Sequence, residues 1–213
     1  MCMKNIKIIL LGFFIISLAA CDKYPEYCKG GIKYEFDMPV SVSPGTDTIH
    51  LGDTLWVELR IPHLTVNKVD GKTYDIAKVD LFMYFAIQDL LLPTVIPTGA
   101  YITLNEDGTP ASGVGDGFGP KVRFKVDGDS AYWKLGFVIT KKGLYMLSFS
   151  DLIDRSHEPH ITECPNEKVQ FHYNFNTTWE SNYYLLQYSH DENARSWGED
   201  GFNKSGNYVF CVD

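Results

Sequence analysis

The groups in this 213-residue chain that could do chemistry are six histidines, five cysteines and 27 carboxylates. Their densest grouping is His157-Glu158-Pro159-His160, with Glu163 and Cys164 just beyond. Imidazoles three apart beside carboxylates could hold a transition metal. Pro159 breaks the helical face that would aim both rings at one ion, and the spacing implies no further ligand, so these residues read as a surface loop. His50, His63, His172 and His190 are scattered. Asp107, Asp116, Asp127 and Asp129 lie in turns beside glycines, where carboxylates and carbonyls can hold calcium. None follows an EF-hand loop, and turn chemistry accounts for them. The chain has no pair of His around a Glu, no Gly-x-Ser-x-Gly elbow and no phosphate-cradling glycine loop. Carboxylate pairs of the glycosidase kind must stand about 5–9 Å apart, which separation along a chain does not establish. The expectation is a protein with no catalytic residues, no metal and no cofactor. A small hydrolase is the least favoured reading.

One thiol stands apart. Lys4 and Lys7 are followed by an apolar run, Ile8 to Leu18, broken only by Gly12 and Ser17, and then by Leu18-Ala19-Ala20-Cys21. Charge, apolar core and small residues are the anatomy of an export signal. The run is far shorter than the roughly 20 residues a spanning helix needs. Its end resembles the bacterial lipobox at all four positions. That resemblance implies that the Cys21 thiol receives a diacylglycerol, that the chain is cut just before it, and that the new amine is acylated. Several acyl chains hold a protein firmly on a bilayer. The expected organisation is a signal over 1–20, a tether over 21–33 carrying lipidated Cys21, and a single domain over 34–213. The expected place is the cell envelope, on the outer membrane.

Hydrophobic residues at 45 % and charged residues at 22 % are the composition of a globular protein rather than a disordered one. The net charge is −8, and the signal carries two lysines and no acid. The remainder, at about −10, disfavours nucleic acid and anionic lipid, so membrane binding falls to the lipid. Beyond Cys2 and Cys21 the cysteines are Cys28, Cys164 and Cys211. Exported proteins keep disulfides, and no Cys-x-x-Cys pair suggests zinc. A Cys164–Cys211 bridge, tying the C-terminal region to itself, is the preferred pairing and leaves Cys28 odd.

The elements that must position these groups are strands. Leu55, Val57, Leu59 and Ile61 alternate with Trp56, Glu58 and Arg60, the period of a half-buried strand. Val79 to Ile87, Tyr101 to Leu104, Val122 to Val126, Ala131 to Ile139, Leu144 to Phe149 and Tyr208 to Val212 behave alike. Turns are read at Leu51-Gly52-Asp53, Asn105-Glu106-Asp107-Gly108, Asp127-Gly128-Asp129-Ser130 and Lys141-Lys142-Gly143. Thr177-Thr178-Trp179-Glu180 fits a capping box, and a short helix is expected to about Tyr188, followed by a loop to 207. Seven to nine short strands and little helix give the expected fold: mainly β, an antiparallel immunoglobulin-like β-sandwich with a short C-terminal helix. A split at the glycine-rich cluster near 112–120 is the alternative to one domain.

The plan resembles the small cell-envelope lipoproteins of Bacteroidetes. The resemblance rests on the lipobox, the stretch Thr46 to Trp56 and the closing Gly206-Asn207-Tyr208-Val209-Phe210, and it implies no activity. Bacteria of that group O-glycosylate a motif of Asp, Ser or Thr, and an aliphatic residue, which Thr48, Thr54 and Ser130 fit. Aromatics are the remaining lead. Trp56, Tyr84 and Tyr132 lie opposite the core parity of their strands, and Tyr183, Tyr184, Tyr188 and Trp197 cluster near the C-terminal helix. Planar rings left outside a core can stack on sugars or anchor a protein. Trp56, Tyr84, Tyr132 and Trp197 are the candidate ligand contacts. The function expected is a non-catalytic module binding a glycan or an envelope protein, or an accessory subunit. The alternative is a structural or adhesive subunit using β-strand addition.

Overall fold

The computed structural model describes residues 31–78, 82–93, 100–111, 122–150, 161, 164, 167–175 and 180–213. Its strands are β1 (Lys33–Ser43), β2 (Thr48–Ile49), β3 (Thr54–Pro62), β4 (Leu64–Val66), β5 (Thr73–Asp75), β6 (Phe82–Asp89), β7 (Tyr101–Leu104), β8 (Val122–Arg123), β9 (Lys125–Asp127), β10 (Ser130–Ile139), β11 (Gly143–Ser150), β12 (Lys168–Phe175) and β13 (Asn207–Val212). A first sheet has the order β12-β1-β3-β10-β7, with β9 beside β10. A second has the order β2-β13-β11-β6-β8, and β4 and β5 form a separate hairpin. The fold is mainly β, an immunoglobulin-like sandwich.

Period-two alternation builds the first sheet. Tyr34, Phe36, Met38, Val40 and Val42 of β1 point inward, beside Leu55, Val57, Leu59 and Ile61 of β3 and Ala131, Trp133, Leu135, Phe137 and Ile139 of β10. They meet Phe85, Ile87, Tyr145, Leu147, Phe149, Tyr208, Phe210 and Val212 from the second sheet in one core. Full burial of such a side chain stabilises by about 1.5–3 kcal/mol. A one-residue slip of β3 would turn four apolar side chains to water, so the register is fixed. The turn chemistry also holds. Gly52, Gly108 and Gly128 have φ of 90°, 80° and 59°, and Asp127 pairs directly with Ser130 across the β9–β10 hairpin.

Three expectations are corrected. The sheets are mixed rather than purely antiparallel: β12 runs parallel to β1, from Lys33 opposite Lys168 to Val40 opposite Phe175, and β2 runs parallel to β13. The register of β12 sets Val169, Phe171, Tyr173 and Phe175 beside the inward row of β1 and against the core.

The Cys164–Cys211 bridge is not formed, because Cys211 is a free thiol. Cys211 shares the parity of Val209, on the outward side of the second sheet. Cys164 is buried just ahead of β12, a strand of the first sheet, whereas Cys211 is in β13 of the second.

The C-terminal region is not one helix followed by a loop. A 3-10 helix spans Glu180–Tyr188, and two short helices follow, α1 (Glu192–Arg195) and α2 (Glu199–Lys204). Thr177 of the expected capping box lies outside the described residues. Asp191 caps α1 instead, its carboxylate accepting from the Asn193 and Ala194 N–H groups.

These helices form a cap over the second sheet. Strands β11 and β13 are apolar on both parities. Leu144, Met146 and Val209 face outward into a second core with Leu90, Leu185, Leu186, Ala194 and Phe202. Doubly apolar strands belong to a sheet covered on both sides. Strands β1 and β3 of the first sheet alternate strictly, and no second core covers that sheet's outer face among the described residues.

Candidate binding site

The cap meets the β1–β2 connection at the edge of the second sheet. Strand β2 supplies only two residues there and pairs with Cys211 and Val212, so the rest of the β13 edge needs other partners. The backbone N–H of Cys211 donates to the Asp47 carbonyl at 2.8 Å. One residue pair further on, the Asn182 side-chain amide donates to the Val209 carbonyl at 2.8 Å. To reach it, Ser181 and Asn182 adopt φ of 55° and 57°, a left-handed conformation costly for most residues and best tolerated by Asn. The buried Ser181 hydroxyl bonds to the Asn203 side chain, tying the strained pair to α2.

Against this frame stands a cavity of about 370 Å³ lined by Gly45, Thr46, Asp47, Asn182 and Tyr184. The Tyr184 hydroxyl donates to the Asp47 carboxylate. That bond, with a lesser contribution from burial, pushes the Tyr184 phenol up to about 12. The buried Tyr208 hydroxyl donates to the carbonyl of the lining residue Thr46 at 3.0 Å; burial pushes its phenol up to about 12 as well. The described lining residues include no histidine, cysteine or lysine and a single carboxylate. They offer hydrogen bonds and a ring, and no nucleophile with its base.

The exposed aromatics of the described residues belong to this same cap. Tyr184 is 51 %, Tyr188 62 % and Trp197 38 % exposed. Trp197 is held by its neighbours: its ring stands edge-on to Phe202 at 6.0 Å, and its carbonyl accepts from the Tyr183 hydroxyl at 2.5 Å.

Trp56 and Tyr132 lie on the outer face of the first sheet, far from the cap. Trp56 is opposite Gly136 in register. A Cβ at Gly136 would stand 3.0 Å from the indole, so the glycine lets the ring lie flat on the sheet. The Lys134 ammonium sits 5.2 Å from its centroid. The Arg60 guanidinium sits 4.3 Å from the Tyr132 ring. Glu58 pairs with both cations, at 3.5 Å to Arg60 and 3.8 Å to Lys134. Below them Lys125 bonds Glu106 at 2.7 Å, which holds that carboxyl below the ordinary range. Tyr84 is in β6, with its side chain outside the described residues.

The remaining candidates separate. Thr48 is exposed on β2 next to Asp47, whereas Thr54 and Ser130 are half-exposed on the first sheet. Asp107 accepts from the N–H and hydroxyl of Thr109, at 2.9 and 2.6 Å, as turn chemistry requires. His157, Glu158, His160, Glu163, Asp116 and the segment carrying Cys21 and Cys28 lie outside the described residues. Among those described, no three His, Cys, Asp or Glu side chains gather as metal ligands. Sequence reasoning put Tyr184 near the site but missed Asp47 and Asn182. The signal available for Asn182 was its type, Asn being the residue that best tolerates a left-handed turn.

No protein-family model matches the chain, and no curated protein does. Solved structures do. A type II cohesin dyad from an adaptor scaffoldin of Acetivibrio cellulolyticus aligns at 8 % identity, covering 63 % of this chain and 46 % of its own, with a TM-score of 0.34. A conjugative transposon lipoprotein from Bacteroides eggerthii aligns at 8 % identity, covering 55 % of this chain and 87 % of its own, with a TM-score of 0.28. The second type II cohesin module of the same scaffoldin aligns at 11 % identity, covering 64 % of this chain and 94 % of its own, with a TM-score of 0.29. The chain spans just under half the length of the cohesin dyad, and at these identities the likeness is one of sandwich fold alone.

Proposed function

We propose that this chain is a non-catalytic binding module of the cell envelope, anchored through lipid on Cys21, whose binding face is the C-terminal cap. The observation that carries this reading is the cavity at Asp47 and Tyr184, in a cap whose exposed rings have no cation of the described residues over their faces. Exposed rings on a rigid frame bind at low entropic cost. The frame is rigid here because the second core holds it from beneath.

The test uses the full-length chain in cells. A photo-crosslinking residue replaces Tyr188 in one variant and Tyr132 in another. An adduct formed at position 188 and absent at 132 supports the reading, whether the captured partner is protein or glycan. An adduct only at 132, or none at either, contradicts it. The anchor is tested separately with a clickable fatty acid: label should enter the wild-type chain and be absent from Cys21→Ser. Label retained in that variant would remove Cys21 from its role.

A further inference from the structure

We infer that the cavity beside Tyr184 takes the terminal pyranose of a neutral glycan, a deepening that rests on the cap being the binding face. A pyranose presents an apolar C–H face and a rim of hydroxyls that both donate and accept. A site for it needs a flat ring and short polar side chains already fixed in place. Tyr184 supplies the ring, half exposed at the rim of the cavity. Asp47 supplies a carboxylate, an acceptor with several lone-pair directions. Asn182 spends its amide N–H on Val209 and contributes a buried polar side chain to the cavity lining. The Thr46 hydroxyl donates to the Thr48 carbonyl at 2.7 Å and keeps its own lone pairs.

These groups are held before any ligand arrives. The Asp47 main chain is bound by Cys211 and its side chain by Tyr184. Asn182 is buried, and its left-handed turn is fixed by the Ser181–Asn203 bond. Little ordering remains to be done on binding.

Charge and size narrow the ligand. None of the described lining residues is basic, and Asp47 is anionic. A uronic acid or phosphorylated sugar would bring a second negative charge without a partner. A volume of about 370 Å³ sits at the small end of the roughly 300–1,000 Å³ of ligand sites. It suits one or two sugar rings, the end of a chain rather than its middle. An extended peptide would instead need backbone edge groups. At β13 those groups are already taken by Asp47, Asn182 and β2.

The test is isothermal titration of the full-length chain in a detergent without a sugar headgroup. The probes are maltose, lactose and mannobiose, with glucuronic and galacturonic acid beside them. The expected result is saturable binding of at least one neutral disaccharide and none of the acids. Tyr184→Ala should weaken that binding at least about tenfold, and Tyr184→Phe, which keeps the ring, less than about threefold. Asp47→Ala should weaken it at least about tenfold, with thermal unfolding checking that the variant folds. The inference is overturned if no neutral sugar binds, if the acids bind better, or if Tyr184→Ala binds like wild type. Failure here beside a crosslink to a protein at position 188 sinks the sugar and leaves the cap standing. Failure here with no adduct at 188 sinks both.

Discussion

The outer face of the first sheet and the cap over the second both carry aromatic rings outside the main core, and they treat them in opposite ways. On the first sheet, Trp56 lies flat over Gly136 beneath Lys134, and Tyr132 lies beneath Arg60. Each ring already has a cation of the same protein on its face. On the cap, Trp197 and Tyr183 rest on Phe202, while Tyr184, at the cavity, and Tyr188 stay half or more exposed with no cation of the described residues over them. A ring outside the core is therefore no evidence of a ligand until its faces are accounted for. By that measure the first sheet is a finished surface and the cap an open one.

The sharpest way to break this comparison is to detach the cap. Phe202 is fully buried in the second core, and Phe202→Ala should cost about 3–5 kcal/mol in denaturant unfolding, with Trp197 emission moving to the red. A cost near zero would mean that the cap is not held as described. Next comes the strained edge. Asn182→Ala leaves the Val209 carbonyl buried without its donor and should cost about 1–3 kcal/mol. Asn182→Gly, relieved of the left-handed strain, should recover part of that. Equal losses would show that φ of 57° carries no strain.

Smaller effects are expected on the first sheet. Lys134→Ala and Arg60→Ala should each cost no more than about 0.5–1 kcal/mol. Lys134→Ala should also raise acrylamide quenching of Trp56, since it uncovers the ring. Unchanged quenching would mean that Lys134 does not shield the indole.

The smallest effect is in the titration of Tyr184. Its folded phenol is raised to about 12 above an ordinary value near 10. The associated stabilisation is complete below about pH 10 and is lost as the pH rises through 12. The phenolate absorbance of wild type minus Tyr184→Phe should appear near 12 and fall toward the ordinary value in Asp47→Asn. A difference signal near 10 in wild type would remove the Tyr184–Asp47 bond.

Much of this fold was legible. The strands from Thr54 and from Ala131, the β7 strand and the glycine turns all follow from period-two alternation and positive-φ chemistry, which act over a few residues. Strand direction is not local. Strand β12 went unread despite its Val169, Phe171, Tyr173, Phe175 alternation, and its parallel pairing with β1 depends on where a long connection lands. The Cys164–Cys211 pairing failed for the same reason: Cys211 shares a parity with Val209, and only the presence of the cap makes that parity an outward one. The cap itself was half visible. The capping box at Thr177 suggested one helix to about Tyr188, but Ser181 and Asn182 leave the helical region to reach the β13 edge. The cavity was invisible because Asp47 and Asn182 are brought together only by that edge.

The most direct test sets the two faces side by side in one glycan-array experiment. Wild type is compared with Tyr184→Ala/Tyr188→Ala and with Trp56→Ala/Tyr132→Ala, all shown to fold by thermal unfolding. The account predicts binding to neutral chain ends that is lost in the first pair and kept in the second. Binding kept in the first pair and lost in the second would contradict it and return the binding face to the first sheet.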